Sequence, residues 1–344
     1  MPLTYRDAGV GHREQEELNR AALAAVKRSL ERMGLRYGGV GGYAAWAEVP
    51  GLGRLSLHVD GVGTKTLVLE RTGSLWVAGW DCVAMNVNDL AVAGWRPVLL
   101  VDYIAAPRPE PDRFAEIVEG IERASERAGV AILGGETAVL PGLAGGYDVV
   151  CTVLGVEAPK PGDYGYARPG DVIVGFSSSG LHANGYSLAR RIVEERLGGY
   201  SYDTGLGSIG ELLSAPTLIY SGLVLEAIEK GLIRAAAHLT GGGWAKIARI
   251  VPEGASAVLE APMPGRLFEV LMEAGGVPVE EMYRTFNMGV GLVAAARGRE
   301  EAEKLIHMAW ELGLGAEVIG RVEHGQDGSR VVVRTPYGVT VRFP

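Results

Sequence analysis

The sequence predicts a mixed α/β fold in two domains. Strand-like segments are interspersed with helix-like segments of period 3.6, without the regular alternation of a barrel. Residues 158–170, APKPGDYGYARPG, contain three prolines and three glycines, a composition typical of a domain boundary. The chain of 344 residues is long enough for two hydrophobic cores. We therefore expect an N-terminal domain over 1–158 and, over 170–344, a C-terminal α/β domain with a mixed sheet flanked by helices.

The first domain begins with a helix signal. Residues 14–33 carry apolar side chains at helical spacing and stop at Gly34, which predicts an amphipathic helix packed on the surface. Its apolar positions are Leu18, Ala22, Val26, Leu30 and Met33. The other predicted elements are an alternating strand from Leu55, a helix over 80–92, a buried strand over 98–106, a helix from Pro111 to Gly129, a short strand VAIL and a strand over 148–157.

The second domain opens with a similar strand-to-glycine transition. The strand over 172–176 runs into Ser177-Ser178-Ser179-Gly180, and a helix follows. The remaining predicted elements are a helix from Pro216 to Gly231, a helix over 244–250, a strand after Gly289, a helix over 299–312 and finishing strands.

Composition excludes several classes of protein. The net charge of −8 argues against a nucleic acid or an anionic membrane as partner. No apolar run approaches 18 residues, and the first residues lack the apolar segment of a signal peptide. Cys82 and Cys151 have no metal-site spacing and are interpreted as small buried hydrophobic residues. We expect a soluble, cytoplasmic protein.

The stretch from Leu55 to Pro97 carries the strongest chemical signal. Its strand ends at Asp60, and Gly61-Val62-Gly63-Thr64-Lys65 follows directly. Glycine lets backbone N–H groups approach a polyphosphate, while a carboxylate holds Mg²⁺. The loop is neither a Walker A sequence nor a Rossmann fingerprint, and a strand-end Asp-Gly is also a common turn.

Further polar clusters accompany that loop. Asn86, Asn88 and Asp89 follow on a predicted helix, and a second strand-to-glycine transition delivers Gly134-Gly135-Glu136-Thr137. Asp102 lies inside an apolar strand, where a carboxylate must be paired, metal-bound or at an open end. Two clusters of oxygen ligands beside a glycine loop predict a site for a magnesium nucleotide.

The second domain has glycine clusters of its own. Ser178 to Gly185 combines glycine with His182 and Asn184, and Gly241-Gly242-Gly243 opens a predicted helix. Free N–H groups and the helix dipole favour an anion at such a helix start. Glycine makes up 51 of 344 residues, about twice the usual share, and it is concentrated in these loops.

Ten motifs in one order connect these clusters to a known family. They are YRDAGV, GGYAAW, DGVGTK, NDLAVAGWRP, VDYIA, GGETA, SSSGLHANGYSL, APTLIY, AHLTGGG and RTFNMGVG. Across nearly its whole length the chain resembles phosphoribosylformylglycinamidine cyclo-ligase, also called aminoimidazole ribonucleotide synthetase. The wider superfamily shares the Asp-x4-Gly-x-x-Pro signature, here Asp89 to Pro97, but not the last motifs together.

The resemblance implies an N-terminal domain that binds ATP and Mg²⁺ and contributes strands to a dimer β-barrel. It also implies a C-terminal domain that completes the active-site cleft. The partner molecules would be a phosphorylated nucleotide substrate and a second copy of the chain. The reaction would be ATP-dependent ring closure of formylglycinamidine ribonucleotide to aminoimidazole ribonucleotide, through a phosphorylated amide.

The family motifs assign roles to individual residues. The expected metal ligands are Asp60, Asp89 and Glu136. The expected nucleotide-binding residues are Asp60, Gly61, Gly63, Thr64, Lys65, Asn86, Asp102, Gly134, Gly135 and Thr137. The expected substrate-binding residues are Ser178, Ser179, Gly180, His182, Asn184, Gly241, Gly242 and Gly243. Catalytic roles are expected for His182 as a proton-transfer group, Lys65 as a phosphate contact and Asp89.

The match has departures and rivals. Trp95 and Val139 stand where the family usually has alanine and glutamate, which affects details of the pocket. One rival is the glutamine-dependent synthetase of the preceding step, but the chain is shorter and lacks a glutaminase region. Selenophosphate synthesis would need a reactive N-terminal cysteine, and none precedes Cys82. A third alternative is a non-catalytic nucleotide-binding subunit. The presence of all three of Asp60, Lys65 and Asp89 argues against it.

Overall fold

The computed structural model describes the backbone of residues 12–142, 145–325 and 328–344, and the side chains of these ranges from residue 22 onward. The predicted mixed α/β class is confirmed, because two separate sheets are each covered by helices. The helices are α1 (His12–Arg32), α2 (Lys65–Thr72), α3 (Trp76–Val92), α4 (Pro111–Ala128), α5 (Tyr186–Arg196), α6 (Ile209–Leu213), α7 (Ser221–Glu229), α8 (Arg266–Gly275), α9 (Val279–Thr285) and α10 (Arg299–Glu311). A 3₁₀ helix spans Gly243–Arg249.

The strands divide between the sheets by position in the chain. The first sheet contains β1 (Tyr37–Gly38), β2 (Trp46–Val49), β3 (Gly53–Gly61), β4 (Trp95–Ala106), β5 (Ala131–Val139) and β6 (Asp148–Glu157), in the order β1-β2-β3-β6-β4-β5. The second contains β7 (Val172–Ser177), β8 (Ile233–His238), β9 (Ala255–Glu260), β10 (Val290–Ala296), β11 (Ala316–His324), β12 (Val331–Arg334) and β13 (Thr340–Phe343), in the order β13-β12-β9-β11-β7-β10-β8.

Strand register aligns several polar residues across the first sheet. Asp60 on β3 pairs with Cys151 on β6, which pairs in turn with Asp102 on β4, and Asp102 pairs with Gly135 on β5. Directly paired residues point to the same face of a sheet. The two carboxylates therefore lie on one face, two strands apart.

Helices α3 and α4 cover that face of the first sheet. Their backbones approach so closely that a Cβ at Gly79 would lie 1.9 Å from the carbonyl oxygen of Ile117. A Cβ at Gly120 would likewise lie 1.8 Å from the carbonyl oxygen of Trp76. Only glycine fits at these two positions, so the helix pair packs against the sheet as one tight layer.

The opposite face of the first sheet is uncovered in the single chain. It exposes apolar side chains on three strands, namely Leu57 and Val59 on β3, Val101 and Tyr103 on β4 and Leu133 on β5. Each of the nine residues of β5 is exposed or half-buried. The dimer β-barrel that the resemblance implies is not visible in a single chain.

The second core lies between the second sheet and its helices. β10, in the interior of that sheet, is buried at each of its seven residues. Large side chains such as Trp244, Tyr220 and Tyr283 fill the same cluster. The apolar clusters of the two sheets are distinct, and Ala158, Tyr164 and Ala167 of the segment over 158–170 pack in the second one.

The cysteines differ from the prediction. Cys82 on α3 and Cys151 on β6 form a disulfide, and both are fully buried. Their expected burial is confirmed, but the disulfide between them was not predicted. The pattern of spacing did not reveal the bond because the partners are 69 residues apart and meet only when α3 packs on the sheet.

Two helices differ from their predictions, one in its burial and one in its first residue. Helix α1 was expected to pack on the surface, yet Val26 and Met33 are exposed, and Leu18 lies outside the described side chains. The motif YRDAGV lies outside the described residues. Pro216 does not begin a helix: α7 begins at Ser221, because N–H groups of the preceding segment bond to side chains of α3. In the described part of the chain no helix is long and apolar enough to cross a membrane.

Candidate functional site

Helix α3 carries a row of buried polar side chains. Asp81, Asn86 and Asn88 are fully or almost fully buried, and Asp89 is 6% exposed. Buried polar groups need partners, and these find them on the C-terminal domain or on β3. Oδ1 of Asp81 accepts from the N–H of Thr217 at 2.7 Å.

Asn88 and Trp80 attach the same segment to α3. Oδ1 of Asn88 accepts from the N–H of Tyr220 at 2.7 Å, and its Nδ2 donates to the carbonyl oxygen of Leu218 at 2.8 Å. Nε1 of Trp80 donates to the carbonyl oxygen of Thr217 at 2.7 Å. The APTLIY motif is thus an extended segment that α3 holds by side-chain hydrogen bonds.

Asp89 lies between two histidines. Nδ1 of His238 and Oδ1 of Asp89 are 2.8 Å apart, and Nε2 of His58 and Oδ2 of Asp89 are 3.5 Å apart. Burial by itself would raise the pKa of Asp89, but the hydrogen bonds from both imidazoles hold it well below its usual range. Asp89 is therefore a carboxylate at neutral pH.

His58 links Asp89 to Asn86. Nδ1 of His58 is 2.7 Å from Oδ1 of Asn86, whose Nδ2 donates to the carbonyl oxygens of Cys82 and Asp60. Burial lowers the pKa of His58, but the interactions with Asp89 and Asn86 have a larger, opposite effect. The pKa of His58 is therefore raised above its ordinary value. Since both ring nitrogens face acceptors, the imidazolium is favoured.

Asp60 shares this environment. The N–H of Gly61 donates to its Oδ1 at 2.8 Å. Burial and then the negative charge of Asp89 raise the pKa of Asp60, while His58 and Lys246 oppose that shift. The two carboxylates predicted as metal ligands therefore interact electrostatically, and a cation beside them would relieve their repulsion.

The glycine loop after Asp60 leads to a separate cleft. Gly63 and Thr64 are exposed and line a cavity of about 480 Å³ with Tyr103, Tyr147 and Asp148. Gly63 has φ of +60°, a conformation that favours glycine. The loop thus presents backbone to an open space, as predicted for a ligand-binding turn.

Lys65 differs from its predicted role. Its side chain is fully buried, and Nζ donates to Oδ2 of Asp81 at 2.6 Å and to the carbonyl oxygens of His182 and Ala215 at 2.9 and 2.7 Å. An ammonium group has three donors, so none remains for a phosphate. The predicted phosphate contact is replaced by a structural one that joins the two domains.

The serine loop of the C-terminal domain is held by a polar network. Oγ of Ser178 bonds to Oδ1 of Asn287 at 3.2 Å, and Nδ2 of Asn287 donates to the carbonyl oxygen of Gly180 at 2.8 Å. Oγ of Ser179 donates to the carbonyl oxygen of Pro216 at 2.5 Å. Asn287 therefore connects this loop to the RTFNMGVG motif.

His182 is not suited to the predicted proton transfer. It is 1% exposed, and burial, followed by the neighbouring His238 and Lys65, lowers its pKa well below the ordinary value. Its Nδ1 is buried and has no hydrogen-bond partner within the described ranges. With φ of +60° the residue turns the backbone so that its carbonyl oxygen accepts from Lys65.

Asn184 and the triple glycine come together. A Cβ at Gly241 would lie 3.0 Å from Oδ1 of Asn184, and Nδ2 of Asn184 is buried without a hydrogen-bond partner in the described residues. Gly241 is exposed, whereas a Cβ at Gly243 would lie 2.4 Å from the carbonyl oxygen of Tyr283. Gly243 is thus needed for packing, and Gly242 has φ of +94° before the 3₁₀ helix.

The GGET segment lies on the edge strand β5. A Cβ at Gly135 would lie 2.5 Å from Oδ2 of Asp102, so the glycine leaves room for that carboxylate. Burial raises the pKa of Asp102. Gly134 and Thr137 are exposed, and Thr137 lines a separate cavity of about 260 Å³.

Glu136 does not join the two predicted carboxylate ligands. It is exposed, pairs with Tyr103 and therefore points to the face of the sheet opposite Asp60 and Asp102. The joint site of Asp60, Asp89 and Glu136 is not formed within one chain. In the described ranges no group of three or more His, Cys, Asp or Glu side chains is arranged to hold a metal ion by itself.

Several site residues were missed or undervalued from the sequence. No functional role was assigned from the sequence to His58, Asp81, Tyr43, His238 or Lys246. The alternation that places Ser56, His58 and Asp60 on one face of β3 was a usable signal for His58. The hydroxyl of Tyr43 donates to the carbonyl oxygens of His238 and Lys246, contacts that no local pattern predicts.

A larger cavity of about 550 Å³ lies in the C-terminal domain, behind the serine loop. Its wall includes Ser178, Phe268 and Trp310, and Arg266 and Glu317 are its charged residues among those described. The lining is more apolar than polar, so this space differs in character from the carboxylate cluster.

Two family models cover most of the chain. The one described as AIR synthase related protein, N-terminal domain, matches residues 41–156. The one described as AIR synthase related protein, C-terminal domain, matches residues 168–333.

Curated relatives of similar length share the match. A protein of Thermococcus kodakarensis named phosphoribosylformylglycinamidine cyclo-ligase is 39% identical over 325 residues, which cover 92% of this chain and 96% of that one. A protein of the same name from Anaeromyxobacter dehalogenans is 40% identical over 351 residues, covering 95% and 98%.

Solved structures with the same fold are more distant in sequence. A structure described as AaThiL complexed with AMPPCP and TMP has a TM-score of 0.62 at 18% identity, covering 93% of this chain and 95% of that one. The hydrogenase maturation protein HypE in complex with ATP has a TM-score of 0.60 at 20% identity, covering 87% of each chain. At these identities the likeness establishes the shared fold.

Proposed function

The chain belongs to the AIR synthase-related family and, within it, to the phosphoribosylformylglycinamidine cyclo-ligases, and from that premise we propose its reaction and its site. It is an ATP-dependent ligase of purine biosynthesis. It converts formylglycinamidine ribonucleotide and ATP into aminoimidazole ribonucleotide, ADP and phosphate. The observation that carries this assignment is the 39% identity to a cyclo-ligase over 92% of the chain. A cytoplasmic location is part of the proposal.

The reaction needs an activated amide. The formamide oxygen is a poor leaving group until the γ-phosphoryl group of ATP is transferred to it. The amidine nitrogen then attacks the formyl carbon, a C–N bond forms, and the C–O bond breaks as phosphate leaves. Such phosphoryl transfer depends mainly on positioning and charge neutralisation, so no covalent protein nucleophile is required.

The carboxylate pair fits a magnesium ion. Mg²⁺ in nucleotide sites is commonly held by one or two carboxylates, with phosphate oxygens and water completing its shell. Asp60 and Asp89 supply such a pair, and the negative charge of Asp89 contributes, after burial, to the raised pKa of Asp60. When bound, the ion would neutralise charge on the transferred phosphoryl group.

His238 and His58 orient the carboxylate of Asp89. His238 and His58 hold its two oxygens and keep its pKa depressed against the opposing effect of burial. Each carboxylate oxygen retains a second lone pair for a metal. Asn86 orients His58 in turn, so its proposed contribution to the nucleotide site is indirect.

The nucleotide is proposed to lie along the loop of Gly61, Gly63 and Thr64, and the ribonucleotide beside Ser178, Asn184 and Gly241. The exposed backbone of Gly63 supports the first location, and Nδ2 of Asn184, which has no hydrogen-bond partner in the described part of the chain, supports the second. ATP in structures with this fold supports the choice of nucleotide. His182 is proposed to act as a positioning residue for Lys65, through its carbonyl oxygen.

We further propose that two copies pair through the uncovered face of the first sheet. That face exposes Leu57, Val59 and Leu133, and large exposed apolar patches mark interfaces. Glu136 and Gly134 lie on the adjoining edge strand, where they pair with Tyr103 and Val101 of the uncovered face. Strand-rich pairing of this kind is what the dimer β-barrel of the family requires.

Turnover of the ribonucleotide tests the function directly. Purified protein is incubated with ATP, Mg²⁺ and formylglycinamidine ribonucleotide, and the product amine is measured as a diazo dye beside ADP release. Equal amounts of amine and ADP are expected. Thiamine monophosphate in place of the ribonucleotide is the matched control. ADP release with that compound and no dye with the ribonucleotide would refute the proposed reaction.

A further inference from the structure

Lys246 lies at the carboxylate site, although no motif singled it out. It occupies the 3₁₀ helix after the triple glycine, and its carbonyl oxygen accepts from the hydroxyl of Tyr43 at 3.4 Å. That hydroxyl also donates to the carbonyl oxygen of His238, whose ring is bonded to Asp89. A short chain of contacts therefore connects Lys246 to Asp89.

The ammonium group lies over an aromatic ring and interacts electrostatically with the two carboxylates. Nζ of Lys246 lies 5.6 Å from the centroid of the Tyr43 ring, so the ring supports the aliphatic part of the side chain. Asp60 and Asp89 both act electrostatically on this ammonium, and it acts on Asp60. Arg249 lies over the same ring, with its guanidinium carbon 4.8 Å from the centroid.

Lys246 differs from the one fully buried lysine and from three paired surface lysines in what it binds. Lys65 is saturated by three acceptors. Lys160, Lys230 and Lys304 form ion pairs with neighbouring glutamates. Nζ of Lys246 has neither a hydrogen bond nor a close ion pair to any residue that the structure describes, although the side chain is half-buried.

We propose that Lys246 is the residue that binds a phosphate group at the site of Asp60 and Asp89, in the role that the sequence assigned to Lys65. The geometry is that of a flexible ammonium group over the ring of Tyr43, whose hydroxyl contacts the carbonyl oxygen of His238, the residue bonded to Asp89. A half-buried cation with no hydrogen bond or close ion pair among the described residues is poised to accept an anionic partner. This inference rests on the proposed function for the identity of the ligand, but not for the existence of a phosphate contact.

Charge balance explains why a lysine suits this position. Without ligand, its positive charge offsets part of the repulsion between Asp60 and Asp89. When a metal ion takes over that role, the ammonium becomes available for a phosphate oxygen. The four-carbon stem of lysine allows such a small shift without movement of the backbone.

The test compares Lys246→Met and Lys246→Arg with the control Lys160→Met. Lys160 also lies over an aromatic ring, with Nζ 5.0 Å from the centroid of Trp95, but it is paired with Glu157. Binding is measured by titration calorimetry with AMPPCP and Mg²⁺ in one arm and with formylglycinamidine ribonucleotide in the other. Lys246→Met should weaken binding about tenfold or more in one arm, Lys246→Arg should restore part of it, and Lys160→Met should match the wild type.

The two titrations show whether Lys246 binds a phosphate of the nucleotide or the phosphate of the ribonucleotide substrate. A loss confined to AMPPCP assigns the contact to the nucleotide, and a loss confined to the ribonucleotide assigns it to the substrate phosphate. Wild-type affinity of Lys246→Met in both arms would overturn the proposal. In the wild type, the same ligand should protect Lys246 from acetylation, as measured by mass spectrometry, and equal labelling with and without both ligands would also overturn it.

The test of the Lys246 phosphate contact and the test of the cyclo-ligase reaction can fail independently. If the wild type makes no diazo-positive product but AMPPCP affinity depends on Lys246, the phosphate contact stands and the cyclo-ligase assignment fails. If the wild type turns over and neither affinity nor labelling depends on Lys246, the assignment stands and the phosphate contact fails.

Discussion

Nζ of Lys65 lies 2.6 Å from Oδ2 of Asp81, and both side chains are fully buried. This ion pair joins the start of α2 to the first turns of α3. The carbonyl oxygens of His182 and Ala215 complete the coordination of the ammonium, so the pair also fastens the C-terminal domain to the N-terminal one. A lysine in a glycine-loop motif is here a buried structural residue.

Replacing Lys65 should destabilise the whole protein. Lys65→Met leaves the buried carboxylate of Asp81 without its counter-charge, which typically costs about 3–5 kcal/mol. The free energy of unfolding is measured by guanidinium titration. Lys304→Met, which breaks an exposed pair with Glu300, is the control and should leave the midpoint unchanged. Wild-type stability of Lys65→Met would contradict the structural role.

Removing the charge of Asp89 should abolish most turnover. Asp89→Asn removes one of the two carboxylates that would neutralise charge together with Mg²⁺, so we expect kcat to fall by a factor of about 100 or more. Activity is measured by the diazo assay, and folding by circular dichroism. Asp203→Asn, on an exposed loop, should keep wild-type activity. A fall in kcat of less than a few-fold would remove Asp89 from the proposed metal site.

The disulfide of Cys82 and Cys151 should contribute to stability. It closes a separation of 69 residues, for which loop-closure entropy predicts about 4 kcal/mol. Reduced protein should therefore unfold at a lower guanidinium concentration than oxidised protein, whereas the double variant Cys82→Ala/Cys151→Ala should not respond to reductant. Alkylation of both cysteines in denatured, unreduced wild type would show that the bond is absent.

Asp163 should make stability depend on pH in the acid range. It lies between the domains and accepts from Arg297 at 2.6 and 2.9 Å and from Arg234. The hydrogen bonds and charges of these arginines outweigh burial and hold the pKa of Asp163 well below its usual value of 3.8. A depressed folded-state pKa contributes stability that is complete above pH 3.8 and is lost as the pH falls towards the folded-state value.

The urea midpoint of the wild type should therefore fall more steeply between pH 5 and about pH 2 than that of Asp163→Asn. Arg297→Met removes the main hydrogen-bond partner of Asp163 and should, like Asp163→Asn, make the urea midpoint less dependent on pH. Parallel profiles for the wild type and both variants would show that the depressed pKa of Asp163 does not contribute.

Charge on the uncovered sheet face should disrupt the proposed dimer. Val59 and Leu133 are 62% and 71% exposed, and Val59→Asp or Leu133→Asp should shift sedimentation towards the monomer, because a charge would be buried at the interface. Leu206→Asp is the control, since Leu206 is also 71% exposed but belongs to the C-terminal domain. A wild type that sediments as a monomer would refute this pairing.

Local patterns predicted the elements well where burial followed from periodicity. The strand from Leu55 and the apolar run of β4 were recognised because alternation and continuous apolarity reflect the faces they present. Pro216 was misread because proline commonly starts helices, whereas here α3 supplies side-chain partners to the backbone and keeps the segment extended. Such partners lie more than 130 residues away in sequence.

The sequence by itself determined the family and the mixed α/β class and predicted a chemistry for the site, because ten ordered motifs carry the carboxylates, glycines and amides that this chemistry needs. Only the tertiary structure decided which groups are available. Nζ of Lys65 donates its hydrogen bonds to Asp81 and two backbone carbonyl oxygens. Glu136 points to the other face of the first sheet. Nζ of Lys246 has no hydrogen bond or close ion pair among the described residues, and its charge acts on Asp60. The physical reason is that availability depends on burial and on partners distant in sequence, which only packing brings together.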